Sequence, residues 1–390
     1  MKNVNDWRRV GPAAACVVLA ALLLAACGGS SDTSSTTETS QENSTVEATE
    51  TESSNSSGQL AEAEEIVQKA SKNPAHVGPT EPLKKPIPSG KTIDLVYCPH
   101  PACIEIAERL QEGTDVLGWN LNKIEVEATP QSIQEGFEQA VRDHPDGVAG
   151  TGFDKVTFER QLKELDAAGI PVLSTVATDK PGGGIVWQFI NPEIQAQYSE
   201  ALAAKVATDS QCEGGVGSVE LTGYPTIVGY TAAFNESIEK FCPNIEVQTL
   251  QLADTSLGKE APSEIANFLR ANPDIDSLFL SIDEFAAGLK AAVQATGGEL
   301  PKLYGKSPSL EGYEALQNGE RAASVPGLTP EVSWYWLDMF ARLFNNESID
   351  PDKKWQNIVV WSEEAGNLPT NHKAPQIPDY QEQFKELWNK

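Results

Sequence analysis

From about residue 91 onward, apolar and polar positions fall into two alternating periods. The run Ile93-Asp94-Leu95-Val96-Tyr97 reads as a buried strand, and Cys103, Ala107, Leu110 and Leu117 then recur at helical spacing. A short strand over 124–126 ends at Thr129-Pro130, an N-cap followed by proline at the first helical position. Ile133, Phe137 and Val141 line one face of the helix that follows, which should stop at His144-Pro145 because the residue before a proline is pushed out of the helical region. A strand over 147–149 runs into a glycine-rich turn. Asp154 then stands where an N-cap belongs, before a helix with Phe158, Leu162 and Leu165 turned inward. Gly169 supplies the left-handed residue that closes this helix, and strands over 170–173 and 185–190 follow.

After Asn191 the same grammar restarts. Strands are predicted over 216–221, 245–250, 275–282 and 302–304. Between them lie helices carrying Phe234, Ile238 and Phe241, then Ile265, Phe268 and Leu269, then Phe285, Leu289 and Ala292. Short apolar runs alternating with helices are the signature of parallel sheets covered on both faces. The fold class expected is therefore α/β, as two successive Rossmann-like lobes. Length agrees, since the roughly 330 residues after the N-terminal segments exceed what one core usually organises. Residues 141–146 before the third strand also echo residues 269–274 before its counterpart, a similarity that helix-stop chemistry alone could produce.

The N-terminus has a different pattern. Lys2, Arg8 and Arg9 precede an apolar run over 13–24 that ends in Leu24-Ala25-Ala26-Cys27. The run is too short for a comfortable membrane span, which needs about 20 apolar residues, and it reads as a signal peptide over 1–26. The ending resembles the lipobox of bacterial lipoproteins, which implies lipidation at Cys27 and a place on the outer face of the cytoplasmic membrane. An ordinary secreted protein or an uncleaved anchor is the alternative. Residues 27–60, rich in Ser, Thr and Glu, cannot bury a core and are expected to be a disordered tether with a reach of about 30 Å. Residues 61–90 are expected to form an amphipathic helix over 60–72 and a connector through Pro79, Pro82, Pro86 and Pro88.

The formal charge of −27 argues against a nucleic-acid partner. With Cys16 in the signal and Cys27 lipidated, four cysteines remain in two local pairs, Cys98 with Cys103 and Cys212 with Cys242. Export makes two disulfides the expectation. A zinc site built on Cys98, His100 and Cys103 is the alternative, although four tetrahedral ligands are not in view. Catalysis finds little to work with. The chain carries no Gly-x-Ser-x-Gly elbow, no His-Glu-x-x-His pair and no phosphate-cradling loop, and of its four histidines His76 and His372 fall in connectors.

Residues 271–288, from Ala271-Asn272-Pro273-Asp274 through Phe279-Leu280-Ser281-Ile282-Asp283-Glu284-Phe285, resemble the second-lobe strand and following helix of type I periplasmic binding proteins of the ribose-binding class. Asp146-Gly147-Val148, Ala168-Gly169-Ile170-Pro171-Val172 and Gly319-Glu320-Arg321-Ala322-Ala323-Ser324 support the resemblance, which spans about 91–359. It implies lobe 1 over 91–190 plus 328–360 and lobe 2 over 191–327 plus 361–390. The crossings would fall near Ile190-Asn191, Gly327-Leu328 and Val360-Trp361. It also implies a monomer without cofactor that captures a small molecule between the lobes and delivers it to the permease of an ABC transporter. A sensor that presents its closed form to a receptor is the alternative output.

Carried over position by position, the first wall of the cleft would be Pro99, His100, Pro101, Gly152, Phe153, Asp154, Thr175 and Val176. The second would be Tyr224, Tyr230, Thr255, Ile282, Asp283, Phe285 and Ser307. The chain departs from the sugar binders at Thr175-Val176, Ile282 and Ser307, where they place carboxylates or asparagine. A ligand with more apolar or aromatic character, stacked by Phe153, Tyr224, Tyr230 and Phe285, is therefore expected beside the sugar reading. Plainer roles compete: Asp154 as an N-cap alone, Phe285 as core, His100 in a loop hydrogen bond, and Trp334 and Trp336 as packing.

Overall fold

A computed structural model describes residues 47–390 except 128, 328, 329, 351, 352 and 354–357. The expected signal peptide, the lipidation site Cys27, the first part of the tether and Leu328 at the second crossing lie outside the described residues.

The first sheet is built from β1 (Thr92–Tyr97), β2 (Asn120–Glu125), β3 (Gly147–Thr151), β4 (Val172–Thr175) and β5 (Ile185–Gln188), in spatial order β2-β1-β3-β4-β5 and parallel throughout. Helices α2 (Pro101–Leu117), α3 (Pro130–Asp143) and α4 (Lys155–Ala167) make the crossovers. The second sheet repeats the plan with β6 (Gly215–Leu221), β7 (Gln248–Leu252), β8 (Ile275–Leu280), β9 (Lys302–Lys306) and β10 (Ala323–Val325), in order β7-β6-β8-β9-β10. Its helices are α5 (Pro192–Ser210), α6 (Pro225–Phe241), α7 (Ala261–Ala271), α8 (Leu289–Ala295) and α9 (Leu310–Gln317). In both sheets the strand order reverses direction beside the first strand, where ligands of such sheets bind beyond the strand C-termini.

Local chemistry sets most of these boundaries. Thr129 caps α3, its hydroxyl accepting from the Ser132 N–H at 3.2 Å, and His144 ends the helix in a left-handed conformation. Gly169, at φ 72°, ends the turn after α4, and the Ile170 N–H returns to the Leu165 carbonyl at 2.9 Å. That bond, with a proline next in line that has no N–H to donate, starts β4 at Val172 rather than 170. The Ile245 N–H is likewise spent in a turn on the Cys242 carbonyl at 2.9 Å, so β7 begins at Gln248 rather than 245.

Phe137, Phe158 and Leu162 fill one face of the first sheet, and Ile265, Leu278 and Phe285 one face of the second. The remaining faces share a larger core that runs through both lobes and takes in Trp187, Phe234, Phe279, Trp334 and Trp336. Helix α10 (Glu331–Phe344) returns to lobe 1 and packs on α2, so Trp334 and Trp336 are packing residues. The structure pairs Cys98 with Cys103 across the β1–α2 turn. It pairs Cys212 with Cys242, just before the neighbouring strands β6 and β7.

Two expectations about the ends of the chain are corrected. Helix α1 spans Glu47–Ala70, so it enters the stretch read as tether; no proline interrupts 47–70, and helix formers dominate from Gln59. Of the C-terminal residues expected with lobe 2, Trp361 and Pro369 do lie there, bonded to Ser324 and Tyr313, but the last residues return to lobe 1. Helix α11 (Tyr380–Leu387) lays Phe384 and Trp388 against Trp334 of α10, because these rings need an apolar partner. The segment before lobe 1 is tied to both halves of the molecule. Glu62 pairs with Lys240 of α6 at 2.9 Å, and the Pro88 carbonyl accepts from Trp119 Nε1 at 2.7 Å.

Candidate functional site

The loops that follow the strand C-termini carry the expected site residues. After β1, Pro99 and His100 are exposed on the turn that the Cys98–Cys103 bridge closes. After β3, Gly152 is exposed and its N–H donates to the Thr175 carbonyl at 2.8 Å, which ties this loop to the end of β4. Asp154 sits at the N-cap position of α4 without capping it. Its carboxylate instead accepts from the Thr178 N–H at 2.8 Å and the Thr178 hydroxyl at 2.7 Å, while the Lys155 N–H donates to Asp179 at 2.6 Å. The two loops are thus braced against each other, and Asp154 acts as a brace. Thr175 is buried, its hydroxyl accepting from the Ile190 N–H at 3.3 Å.

In lobe 2, Tyr224 is exposed at the start of α6 and reaches Asp254 at 3.4 Å. Thr255 is exposed on the 3₁₀ turn Asp254–Ser256 that follows β7. Ile282 is half-buried after β8, and Ser307 is exposed after β9. Pro99, His100, Gly152, Tyr224, Thr255, Ile282 and Ser307 therefore present surface at the strand C-terminal edges.

Four residues expected at the site are turned elsewhere. Phe285 is 0% exposed in the lobe-2 core, because β8 is followed by the 3₁₀ turn Asp283–Ala286 rather than by a continuous helix, and that turn folds the ring inward. Phe153 is buried edge-on against Phe137. The ring of Tyr230 is buried on Phe279, with centroids 5.6 Å apart. Asp283 is buried in an ion pair with Arg321 and accepts from the Ser309 N–H at 2.8 Å, so its carboxylate is already used. Of the four aromatic side chains expected to stack a ligand, only Tyr224 keeps an exposed ring.

The backbone repeats an unusual conformation in the two lobes. Val176 after β4 and Ser307 after β9 stand at equivalent places in the two sheets, and both have positive φ, 53° and 52°. For a residue other than glycine this costs about 1–3 kcal/mol and persists only where the surroundings impose it.

Two residues not singled out in the sequence lie at the same edges. Glu284 carries an oxygen 3.5 Å from Nε2 of His100, so this pair joins the turn after β1 in lobe 1 to the turn after β8 in lobe 2. The carboxylate holds the imidazole above its ordinary range, with Asp254 adding to the effect, and the imidazole holds Glu284 below the usual carboxylate range. Lys306 ends β9 with Nζ 4.4 Å above the Tyr230 ring, and burial pushes its ammonium down to about 8. An acidic residue next to an expected site, and a lysine ending an apolar strand, were the signals available for these two.

A cavity of about 390 Å³ lies elsewhere, between α1, α5 and residues 360–365, toward the C-terminal end of α5. Its Lys205 is paired with both Asp209 and Glu364. Among the described residues no group of three His, Cys, Asp or Glu side chains is placed to hold a metal ion, and the sulfurs of Cys98 and Cys103 are bonded to each other.

Comparison with known proteins agrees with this architecture. The ribose import binding protein RbsB of Salmonella typhimurium is 22% identical over 264 residues, covering 64% of this chain and 83% of that protein. A periplasmic solute binding protein of an ABC transporter from Actinobacillus succinogenes, solved with bound D-allose, superposes with a TM-score of 0.61 at 17% identity, covering 70% of this chain and 98% of that one. A periplasmic ribose ABC transporter structure from Conexibacter woesei gives 0.60 at 18% identity, over 72% and 95%. The periplasmic binding protein domain family matches residues 100–348, most of both lobes, and with two parallel five-stranded sheets of the type I pattern the chain belongs to that family.

Proposed function

We propose that this protein is an extracytoplasmic solute-binding protein, anchored by lipid at Cys27, that takes up one small molecule between its lobes and passes it to the permease of an ABC importer. The observation that carries the reading is the contact between His100 and Glu284, in which side chains from the loops at the C-terminal edges of two like sheets meet at 3.5 Å. Two walls of variable loops on rigid sheets can close on a ligand and exclude water, which strengthens every polar contact inside. Micromolar affinity requires only about −8 kcal/mol, within reach of a few hydrogen bonds. The disulfides support export, because such bridges persist in oxidising compartments. A monomer suffices, since both walls come from one chain. Relatives carry ribose and allose in their names, and a sugar remains the leading neutral candidate.

The direct test is native mass spectrometry of the purified protein, followed by denaturation and identification of the released compound. One small molecule per chain is expected. Protein that retains nothing, and that melts unchanged with a broad metabolite panel, would remove the reading.

The cross-lobe pair makes the closed state pH-dependent. Glu284 raises the pKa of His100, so the attraction is full while the imidazole is protonated and fades as pH rises through that raised value, above the ordinary 6.5. The pair is about half exposed, which limits it to about 0–1 kcal/mol, or at most about fivefold in affinity. Titration calorimetry of wild type beside His100→Gln should show an affinity ratio of about 2–5 at pH 6 that falls toward 1 at pH 8. A ratio that does not change with pH would show that the contact contributes nothing to closure.

A further inference from the structure

We propose that the captured solute carries an anionic group, a carboxylate in the simplest case, and that Lys306 receives it. The inference rests on the capture reading and narrows the ligand class within it.

Lys306 ends β9, beside the exposed Ser307 and one strand from the end of β8 that leads to Ile282, so it stands on the edge that forms the lobe-2 wall. Its side chain is partly exposed, yet burial dominates its environment and lowers its ammonium pKa to about 8. No carboxylate among the described residues neutralises it. It lies over the face of Tyr230, 4.4 Å away, which stabilises a cation without cancelling the charge.

An unpaired lysine stands out in a chain whose acidic groups outnumber its basic ones 56 to 29. Of the other charges along these edges, Asp283 is paired with Arg321 and Glu284 with His100, while Asp154 accepts from Thr178 and Asp254 from Tyr224. What the described residues leave open is a positive charge with no carboxylate to match it. Keeping a desolvated cation without a counter-ion costs free energy, and an anion that arrives with the ligand recovers it. A neutral sugar would leave that cost standing. It would also lack the free carboxylates that grip hydroxyls, which agrees with the departures at Thr175, Ile282 and Ser307.

The test is titration calorimetry of the full protein against matched pairs: D-ribose with D-ribonate, D-galactose with D-galacturonate, and 4-hydroxybenzyl alcohol with 4-hydroxybenzoate. The expected result is that at least one carboxylate binds while its neutral partner binds about 10- to 100-fold more weakly. Lys306→Met should erase that preference and Lys306→Arg should keep it. Lys306→Met removes a desolvated charge and should melt no lower than wild type, which separates lost binding from lost folding. Neutral members that bind as tightly as their acids, with Lys306→Met unchanged, would overturn the inference and leave capture in place. Binding of no member of either kind would instead count against the capture reading, and this inference would go with it.

Discussion

Asp283→Ala should lower the unfolding free energy by about 3–5 kcal/mol, because it strands the Arg321 guanidinium in the lobe-2 interior. The two side chains are 5% and 1% exposed, and Nε and Nη2 of Arg321 have no hydrogen-bond partner among the described residues, so Asp283 is the counter-charge that makes its burial tolerable. The fit around the carboxylate is close. A Cβ built on Gly312 would lie 2.6 Å from both its oxygens, and only a glycine leaves the room it occupies. Removing both charges should be milder than removing one. Asp283→Leu combined with Arg321→Met should recover most of what either change loses alone, because no orphan charge remains. Denaturant unfolding of the two single variants and the double variant reads the cycle directly. A loss under about 1 kcal/mol in Asp283→Ala would mean that the pair is not buried as described. The result also bears on function, because an aspartate committed to Arg321 is a structural support for the turn after β8 and not a hand held out to a ligand.

Trp388→Ala is expected to cost about 3–5 kcal/mol, the range for truncating a large buried aromatic. Trp388 is 1% exposed and stacks on Trp334 with centroids 5.2 Å apart. Its indole N–H donates to Asp338 at 2.9 Å. Asp338 is wholly buried; burial raises its pKa, while Arg342 and the indole work against that rise. The truncation therefore opens a cavity and also takes a donor from a desolvated carboxylate, so it should fall at the upper part of the range. Trp388→Phe, which fills much of the space but donates nothing, should lie between. If Trp388→Ala unfolds within about 1 kcal/mol of wild type, α11 is not docked on α10 as described.

Much of the architecture was legible because it rests on local signals. The periodic runs from Ile93 to Phe285 separate strands from helices by their own spacing, and Thr129-Pro130 and Gly169 mark boundaries through chemistry that acts within a few residues. The cysteines paired as their spacing suggests. Errors arose where a distant partner decided the outcome. Tyr380, Phe384 and Trp388 have helical spacing, but nothing in their neighbourhood says that they will cover Trp334 rather than lobe 2. Phe285 fits a site and a core equally well by sequence, and the turn after β8 settles it as core. Asp154 has the position of an N-cap, but Thr178, from the next loop, takes its carboxylate. The importance of Lys306 is that no carboxylate among the described residues pairs with it, which only the tertiary arrangement reveals.

Closure of the two lobes on a solute can be measured by electron–electron distance spectroscopy. Val156 at the start of α4 and Leu310 at the start of α9 are exposed, one on each lobe, and the four cysteines of the lobes are paired. Spin labels at Val156→Cys and Leu310→Cys should give a broad, longer distance distribution in ligand-free protein. Adding the compound identified by native mass spectrometry should collapse it to a narrower, shorter one. A distribution that stays the same with the compound demonstrably bound would contradict capture by closure.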